Sequence, residues 1–157
     1  MDKRIITAEG SVGRMVSGTL LEGIDIQEGV EEICIKHHIK YGFVFCMGSA
    51  ISSGYHYLIE DREAKNGVKR CCVDDVAMQD LINGSGVICT QEDGSFHLHM
   101  HATFCKKDGT IVGGHIHKGM NKAMSHFAVV IIEALGFEML NVLDPSTGFY
   151  HFEPNQH

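Results

Sequence analysis

The 157-residue chain has no C-x-x-C pair, no zinc-finger spacing, no apolar run approaching a membrane span and a shortage of positive charge. Each absence excludes something. Six cysteines, at 34, 46, 71, 72, 89 and 105, lack the spacing of thiolate metal sites and redox motifs. The vicinal pair Cys71-Cys72 reads as coincidence rather than a switch. A spanning helix needs about 20 consecutive apolar residues, and the start, MDKRIITAEGS, has no apolar leader core. These features predict a cytoplasmic protein, away from membranes, with reduced thiols. Thirteen Lys and Arg against 20 Asp and Glu leave a net charge of −7. Non-specific affinity for nucleic acid comes mainly from neutralising phosphates, so direct DNA binding by this chain alone is disfavoured. The nearest basic cluster, Lys65, Lys69 and Arg70, is interrupted by Asn66-Gly67-Val68 and reads as a solvated turn.

What is present is histidine. Five of eleven fall between His97 and His117, in FHLHMHATFCKKDGTIVGGHIHKG, at alternate positions on either side of a turn signal. Alternate residues of a strand share a face, so the window reads as a hairpin that gathers imidazoles on one surface. Lys107-Asp108-Gly109 suits a three-residue loop with glycine in the left-handed position. Pairing Lys106 with Thr110 sets Cys105 against Ile111, Thr103 against Gly113, His101 against His115 and His99 against His117. Opposed Cβ atoms lie about 4.5–5.5 Å apart, within reach of one ion with bonds of about 2.0–2.1 Å. His97 is one rung further out. Cys105 shares the face but lies about 13 Å along the strand from His101, too far to ligate the same ion. The expected metal ligands are therefore His99, His101, His115 and His117. The bland alternative is a solvated or hydrogen-bonded histidine face, and a one-residue slip would scatter the set. Gly113-Gly114 suggests close approach by a backbone or ligand, or else an ordinary bulge.

The remaining chain reads as α+β: one domain over residues 1–157, mostly antiparallel sheet with one principal helix packed on it. Its hydrophobic content of 44% and charged content of 21% place it with globular proteins. Arg14 to Leu21 reads as a strand. Asp25-Ile-Gln-Glu28 resembles a capping box, followed by Ile26, Val30, Ile33 and Cys34 at helical spacing. Lys36, His37, His38 and Lys40 complement the helix dipole at its end. Gly42 to Met47 reads as a buried strand and Gly48 to Gly54 as a turn, either a plain connection or an anion cradle. Tyr55 to Ile59 reads as a strand and Glu60 to Lys69 as a loop, while Val73 to Ile82 is undecided between strand and helix. Asn83 to Gly86 reads as a turn. A two-residue turn at Asp93-Gly94, pairing Glu92 with Ser95, puts Thr90 and Ile88 beside His97 and His99 in a three-stranded meander. Leu98, Met100, Ala102 and Phe104 supply its core side. Ser125 to Leu135 favours strand through Val129-Val-Ile-Ile132. Asp144 to Gly148 is a turn, and Phe149 to Phe152 reads as an edge strand.

The order of these pieces resembles the plants-and-prokaryotes conserved domain. The residues that carry the likeness are Asp25 to Lys40, Phe43 to Gly48, Gly84 to Cys89, His99-Met-His101, Asp108-Gly109, Gly113-Gly-His115 and Asp144…Thr147-Gly148-Phe149. The resemblance implies a homotrimer in which His99, His101 and His115 are able to hold a metal such as zinc. His97 and His117 are extras to that pattern. In plants the domain accompanies AT-hook segments, and this chain has no arginine-glycine-arginine-proline hook. The resemblance also admits partner proteins and an association with DNA-binding regulators.

Two functions follow as expectations. One is a non-enzymatic, metal-binding homo-oligomer with a regulatory or scaffolding role. The other is a zinc hydrolase or lyase, since three histidines and a water also make catalytic zinc. The second needs a general base, for which Glu92, Asp93 and Glu133 are the nearby carboxylates; no H-E-x-x-H motif is present.

Overall fold

The computed structural model describes residues 5–156; the first four residues of the MDKRIITAEGS start and His157 lie outside the described residues. The elements in order are β1 (Ser11–Leu20), α1 (Ile26–His37), β2 (Gly42–Ala50), β3 (Ser53–Glu60), β4 (Val68–Asp75), β5 (Gln79–Gln91), β6 (Phe96–Cys105), β7 (Ile111–Ile116), β8 (Phe127–Leu135), β9 (Phe137–Asp144) and β10 (Phe149–Gln156). The strands join one sheet in the order β1-β8-β2-β5-β6-β7-β3-β4, with β9 beside β5 and β10 beside β9. Pairing is antiparallel except where β9 meets β5 at Thr90 and Gln91. An antiparallel sheet with one helix is what the sequence predicts, although the 12-residue helix leaves the balance strongly toward β.

The helix begins where Asp25, in an extended conformation, accepts hydrogen bonds from the backbone N–H groups of Gln27 and Glu28. It ends at His38, whose left-handed backbone (φ 56°) closes the last turn, while Ile39 N–H returns to the Cys34 carbonyl. Its inner face, Ile26, Val30 and Cys34, packs with Leu20, Val44, Ile88, Met100, Phe104, Phe127 and Ile131. Burying each large apolar side chain contributes about 1.5–3 kcal/mol. Gly29 lets the helix approach β1, because a Cβ there would lie 2.6 Å from Leu20 Cδ2.

The other face of the sheet is the informative one. Pairing registers define a single rung that crosses eight strands: Ser17, Val130, Phe45, Ser85, His101, His115, His56 and Cys72. All eight positions therefore share the face opposite the core. Beside this rung, Met15, Phe43 and Met47 stand on the same face by the same alternation. Their exposures are high, 72% at Met15, 39% at Phe43, 46% at Phe45 and 61% at Met47. The expected buried strand at 42–47 is thus half-exposed, with Val44 and Cys46 inward.

Several local expectations are corrected. Asn83 to Gly86 is not a turn but the middle of β5. Its glycines answer to crowding: a Cβ on Gly84 would lie 2.5 Å from Cys46 Sγ, and one on Gly86 2.4 Å from Met100 Cγ. The reversal expected over residues 48–54 is confined to residues 51–52, since β2 runs to Ala50 and β3 starts at Ser53. The loop after Glu60 ends early, at the start of β4, and the undecided stretch 73–82 is the end of β4 and the beginning of β5. The β5–β6 turn has three residues rather than two. Gln91 N–H donates to the Ser95 carbonyl, Gly94 is left-handed (φ 81°), and Asp93 Oδ1 accepts from Ser95 N–H. This shifts the partners by one: Cys89 opposes His97, Ile88 opposes Leu98, and Val87 opposes His99. Ile88 thereby joins the core, where an isoleucine belongs. Strand β9 was not anticipated.

Candidate metal centre

Strand β6 presents Leu98, Met100, Ala102 and Phe104 to the core, all at most 9% exposed. That inward set forces His97, His99, His101, Thr103 and Cys105 outward. The β6–β7 register is the expected one: Lys106 N–H donates to the Thr110 carbonyl, Gly109 is left-handed (φ 82°), and Cys105 opposes Ile111. Thr103 then faces Gly113, and His101 faces His115. The two glycines of β7 serve backbone approach on both sides. A Cβ on Gly113 would lie 2.1 Å from the Ala102 carbonyl oxygen, and one on Gly114 2.2 Å from that of His56.

His99, His101 and His115 converge, with one ring nitrogen of each lying within 4.8 Å of the others. His99 Nε2 is 3.1 Å from His101 Nε2 and 3.3 Å from His115 Nδ1. Tetrahedral zinc with bonds of about 2.0–2.1 Å sets its ligand nitrogens about 3.3 Å apart, so the spacing fits three ligands of one ion. Burial, reinforced by His101, His97 and His56, pushes the His99 imidazole down to about 4. Burial and the surrounding imidazoles push His115 down to about 3, and burial also lowers His101. The cluster is therefore neutral at pH 7, with lone pairs free for a cation. Phe152 of β10 packs edge-on against His99, with centroids 5.2 Å apart, and steadies its ring.

The expected facing pair His99–His117 does not form. β6 and β7 part beyond His101 and His115, and the chain turns to β3, where His117 N–H donates to the Gly54 carbonyl. The His117 ring lies 6.3 Å from that of His115, outside the converging three. Its partner is His56, with His56 Nδ1 2.7 Å from His117 Nε2. His56 opposes His115 across β3–β7, and their ring centroids are 4.7 Å apart. Burial and the nearby Arg70 lower the His56 pKa. Sequence reasoning missed His56 because its partners lie some sixty positions away. The one available signal was an alternating histidine in a strand already assigned. His97, by contrast, is occupied: its Nδ1 accepts from Gln91 Nε2 at 3.0 Å.

The carboxylates considered as general bases stand elsewhere. Asp93 is held by Ser95 in an exposed turn, and Glu92 is exposed in the same turn. Glu133 lies on β8, three strands and so about 14 Å from β6. There it accepts from Arg14 Nε and Nη2, which hold its carboxyl at about 2. A cavity of about 330 Å³ opens where β6 and β7 part, lined by His97, His115, His117, Glu31 and Gln27. Gln27 Oε1 is buried without a hydrogen-bond partner.

Comparison with known proteins agrees with this architecture. The chain superimposes on a metal-containing protein from Archaeoglobus fulgidus with a TM-score of 0.77 at 20% identity, covering 95% of this chain and 98% of that one. A plant- and prokaryote-conserved protein from Pyrococcus horikoshii gives 0.75 at 18% identity, covering 94% and 97%. A candidate DNA-binding protein from Ralstonia eutropha gives 0.65 at 16%, covering 87% and 88%. No curated protein matches the sequence. The family model of the Plants and Prokaryotes Conserved domain matches residues 7–135, from before β1 to the end of β8 and including all of the histidine cluster. The chain belongs to the plants-and-prokaryotes conserved domain family.

Proposed function

We propose that this protein is a non-enzymatic, metal-binding homo-oligomer, a trimer, with a regulatory or scaffolding role in the cytoplasm. Its ion is a divalent transition metal on His99, His101 and His115, and zinc is the choice by ligand type and availability. One observation carries the reading: three neutral imidazole nitrogens, from alternate positions of β6 and the facing position of β7, stand at ligand spacing. The metal-containing relative from Archaeoglobus fulgidus is consistent with it. The oligomeric part is supported by the outer sheet face, where Met15, Phe43, Phe45 and Met47 are exposed together. Such apolar patches mark association sites.

Metal analysis of the purified protein, followed by His101→Ala and His115→Ala, tests the reading. Stoichiometric zinc in the wild type and its loss in both variants supports it. Loss of the trimer along with the metal makes the ion structural, whereas metal loss with the trimer intact directs attention to ligand binding. A wild type that takes up no zinc overturns it.

A second reading, a zinc hydrolase or lyase on a small molecule, draws on the adjoining cavity and on the unpartnered Gln27 oxygen. It ranks lower because, among the described residues, no carboxylate joins the histidine group. Association with DNA-binding regulators, as the Ralstonia eutropha relative suggests, would run through a partner protein, since a chain of net charge −7 repels phosphates. Salt-sensitive binding of plain duplex DNA by the isolated protein would overturn that assignment.

A further inference from the structure

We propose that His56 and His117 form a second cation position, separate from the His99–His101–His115 site, that takes a divalent transition metal of the zinc, nickel or copper class. His56 Nδ1 and His117 Nε2 face each other at 2.7 Å, and their rings are inclined by only 26° with centroids 5.0 Å apart. At that distance one proton lies between the two nitrogens. An ion with bonds of about 2.0–2.1 Å needs its ligand nitrogens about 2.9 Å apart in square-planar and about 3.3 Å apart in tetrahedral geometry, so exchanging proton for metal asks about 0.2–0.6 Å of ring movement.

The pair is held in place from outside itself. Asn121 is fully buried, and its side chain is fully engaged. Its Oδ1 accepts from Gly54 N–H at 3.0 Å, while its Nδ2 donates to the Gly54 carbonyl at 3.0 Å and to the His117 carbonyl at 2.6 Å. The Gly54 carbonyl also receives His117 N–H at 2.8 Å. The backbone two residues before His56 and the backbone of His117 itself are thus locked to one another. Asn121 is anchored in turn by Asp25 Oδ2, which accepts its backbone N–H at 2.9 Å. Such supported ligands lose little freedom when a metal arrives.

The position is distinct from the first. The His117 ring stands 6.3 Å from that of His115 and the His56 ring 4.7 Å from it, and neither residue is among the three converging ones, so the second position adjoins the first without sharing a ligand. Two imidazoles leave coordination places open, and His117 borders the 330 Å³ cavity, which has room for water or a small anionic ligand. Copper and nickel, which accept two imidazoles with oxygen donors, bind such sets more tightly than earlier divalent metals. The inference does not require the first site to be filled, so the two stand or fall separately.

The test is copper(II) sulfate added to chelator-stripped full-length protein, with bound metal counted after desalting. The wild type should hold one equivalent more than His56→Gln/His117→Gln and one more than His99→Gln/His101→Gln. Electron paramagnetic resonance should show spin coupling between neighbouring copper ions in the wild type and isolated copper in each variant. If His56→Gln/His117→Gln matches the wild type in both count and spectrum, the second position is overturned while the first survives. If His99→Gln/His101→Gln alone matches the wild type, the first site falls and the second stands. Thermal melting checks that the variants fold, and the single variant His117→Asn repeats the comparison if the double one does not.

Discussion

Gly113 lies against the carbonyl of Ala102, so close that a methyl group in place of its α-hydrogen would sit 2.1 Å from that oxygen. Both partners are backbone, so the strands themselves would have to move apart. Gly113→Ala is expected to destabilise the fold by about 1–3 kcal/mol, the range for overpacking. His115 lies two residues on, and its displacement from His101 should weaken zinc binding by about 10–100-fold, as for other disturbed ligand supports. Urea unfolding and zinc titration check both. A variant as stable and as tight-binding as the wild type would show that β6 and β7 do not set the ligand spacing.

Asn121 joins three backbone groups of the 54 and 117 segments through one buried side chain. Asn121→Ala leaves the Gly54 N–H without its acceptor, at roughly 1–3 kcal/mol, while the Gly54 carbonyl keeps His117 N–H and the His117 carbonyl keeps Met120 N–H. The expected loss is about 1–3 kcal/mol by chemical denaturation, with Asn121→Asp intermediate, because its oxygens still accept from Gly54 N–H.

Acid should act through the histidine cluster. The ordinary imidazole value is 6.5, while the folded protein holds His99 at about 4 and His115 at about 3. Between those values the unfolded chain binds protons that the folded one refuses, so stability falls as pH falls. Metal-free protein should therefore keep its full stability above pH 6.5 and lose it progressively toward pH 4. His115→Gln should flatten that slope in melting curves recorded across the range. An unchanged slope would move the acid sensitivity to other groups. Zinc should be released over the same descent, because protons compete for the same lone pairs.

Phe45 stands on the exposed face, 46% accessible and backed by the core-facing Val44 and Cys46. Phe45→Glu places a charge there without disturbing the interior. Light scattering coupled to size exclusion should show the variant shifted toward monomer, with its far-ultraviolet dichroism intact. An unaltered mass would assign the interface to another surface.

The parts of this molecule legible in the sequence are those governed by near neighbours. The loop Lys107-Asp108-Gly109 fixes the β6–β7 register by itself, and with it the meeting of His101 with His115. Asp25 announces the helix because a cap bonds within three residues. His56 was invisible because its place beside His115 depends on β3 adding to β7, a pairing no local turn dictates. Asn83 to Gly86 misled for a related reason. Glycine signals a turn when the backbone needs freedom, but here Gly84 and Gly86 make room for Cys46 and Met100, which belong to other strands. The partner of His117 was misjudged because β7 leaves β6 just before it, and nothing in the alternation records that departure.

The unbroken rung from Ser17 to Cys72 has a thermodynamic consequence. Phe45 and His101 are separated on it by Ser85 alone, so in the proposed oligomer a copy of the chain resting on the aromatic side would stiffen the strand that carries the imidazoles. Self-association and cation uptake would then draw on the same loss of motion, and whichever came first would ease the other by an equal factor. Subunit affinity should rise with zinc concentration, and zinc affinity with protein concentration.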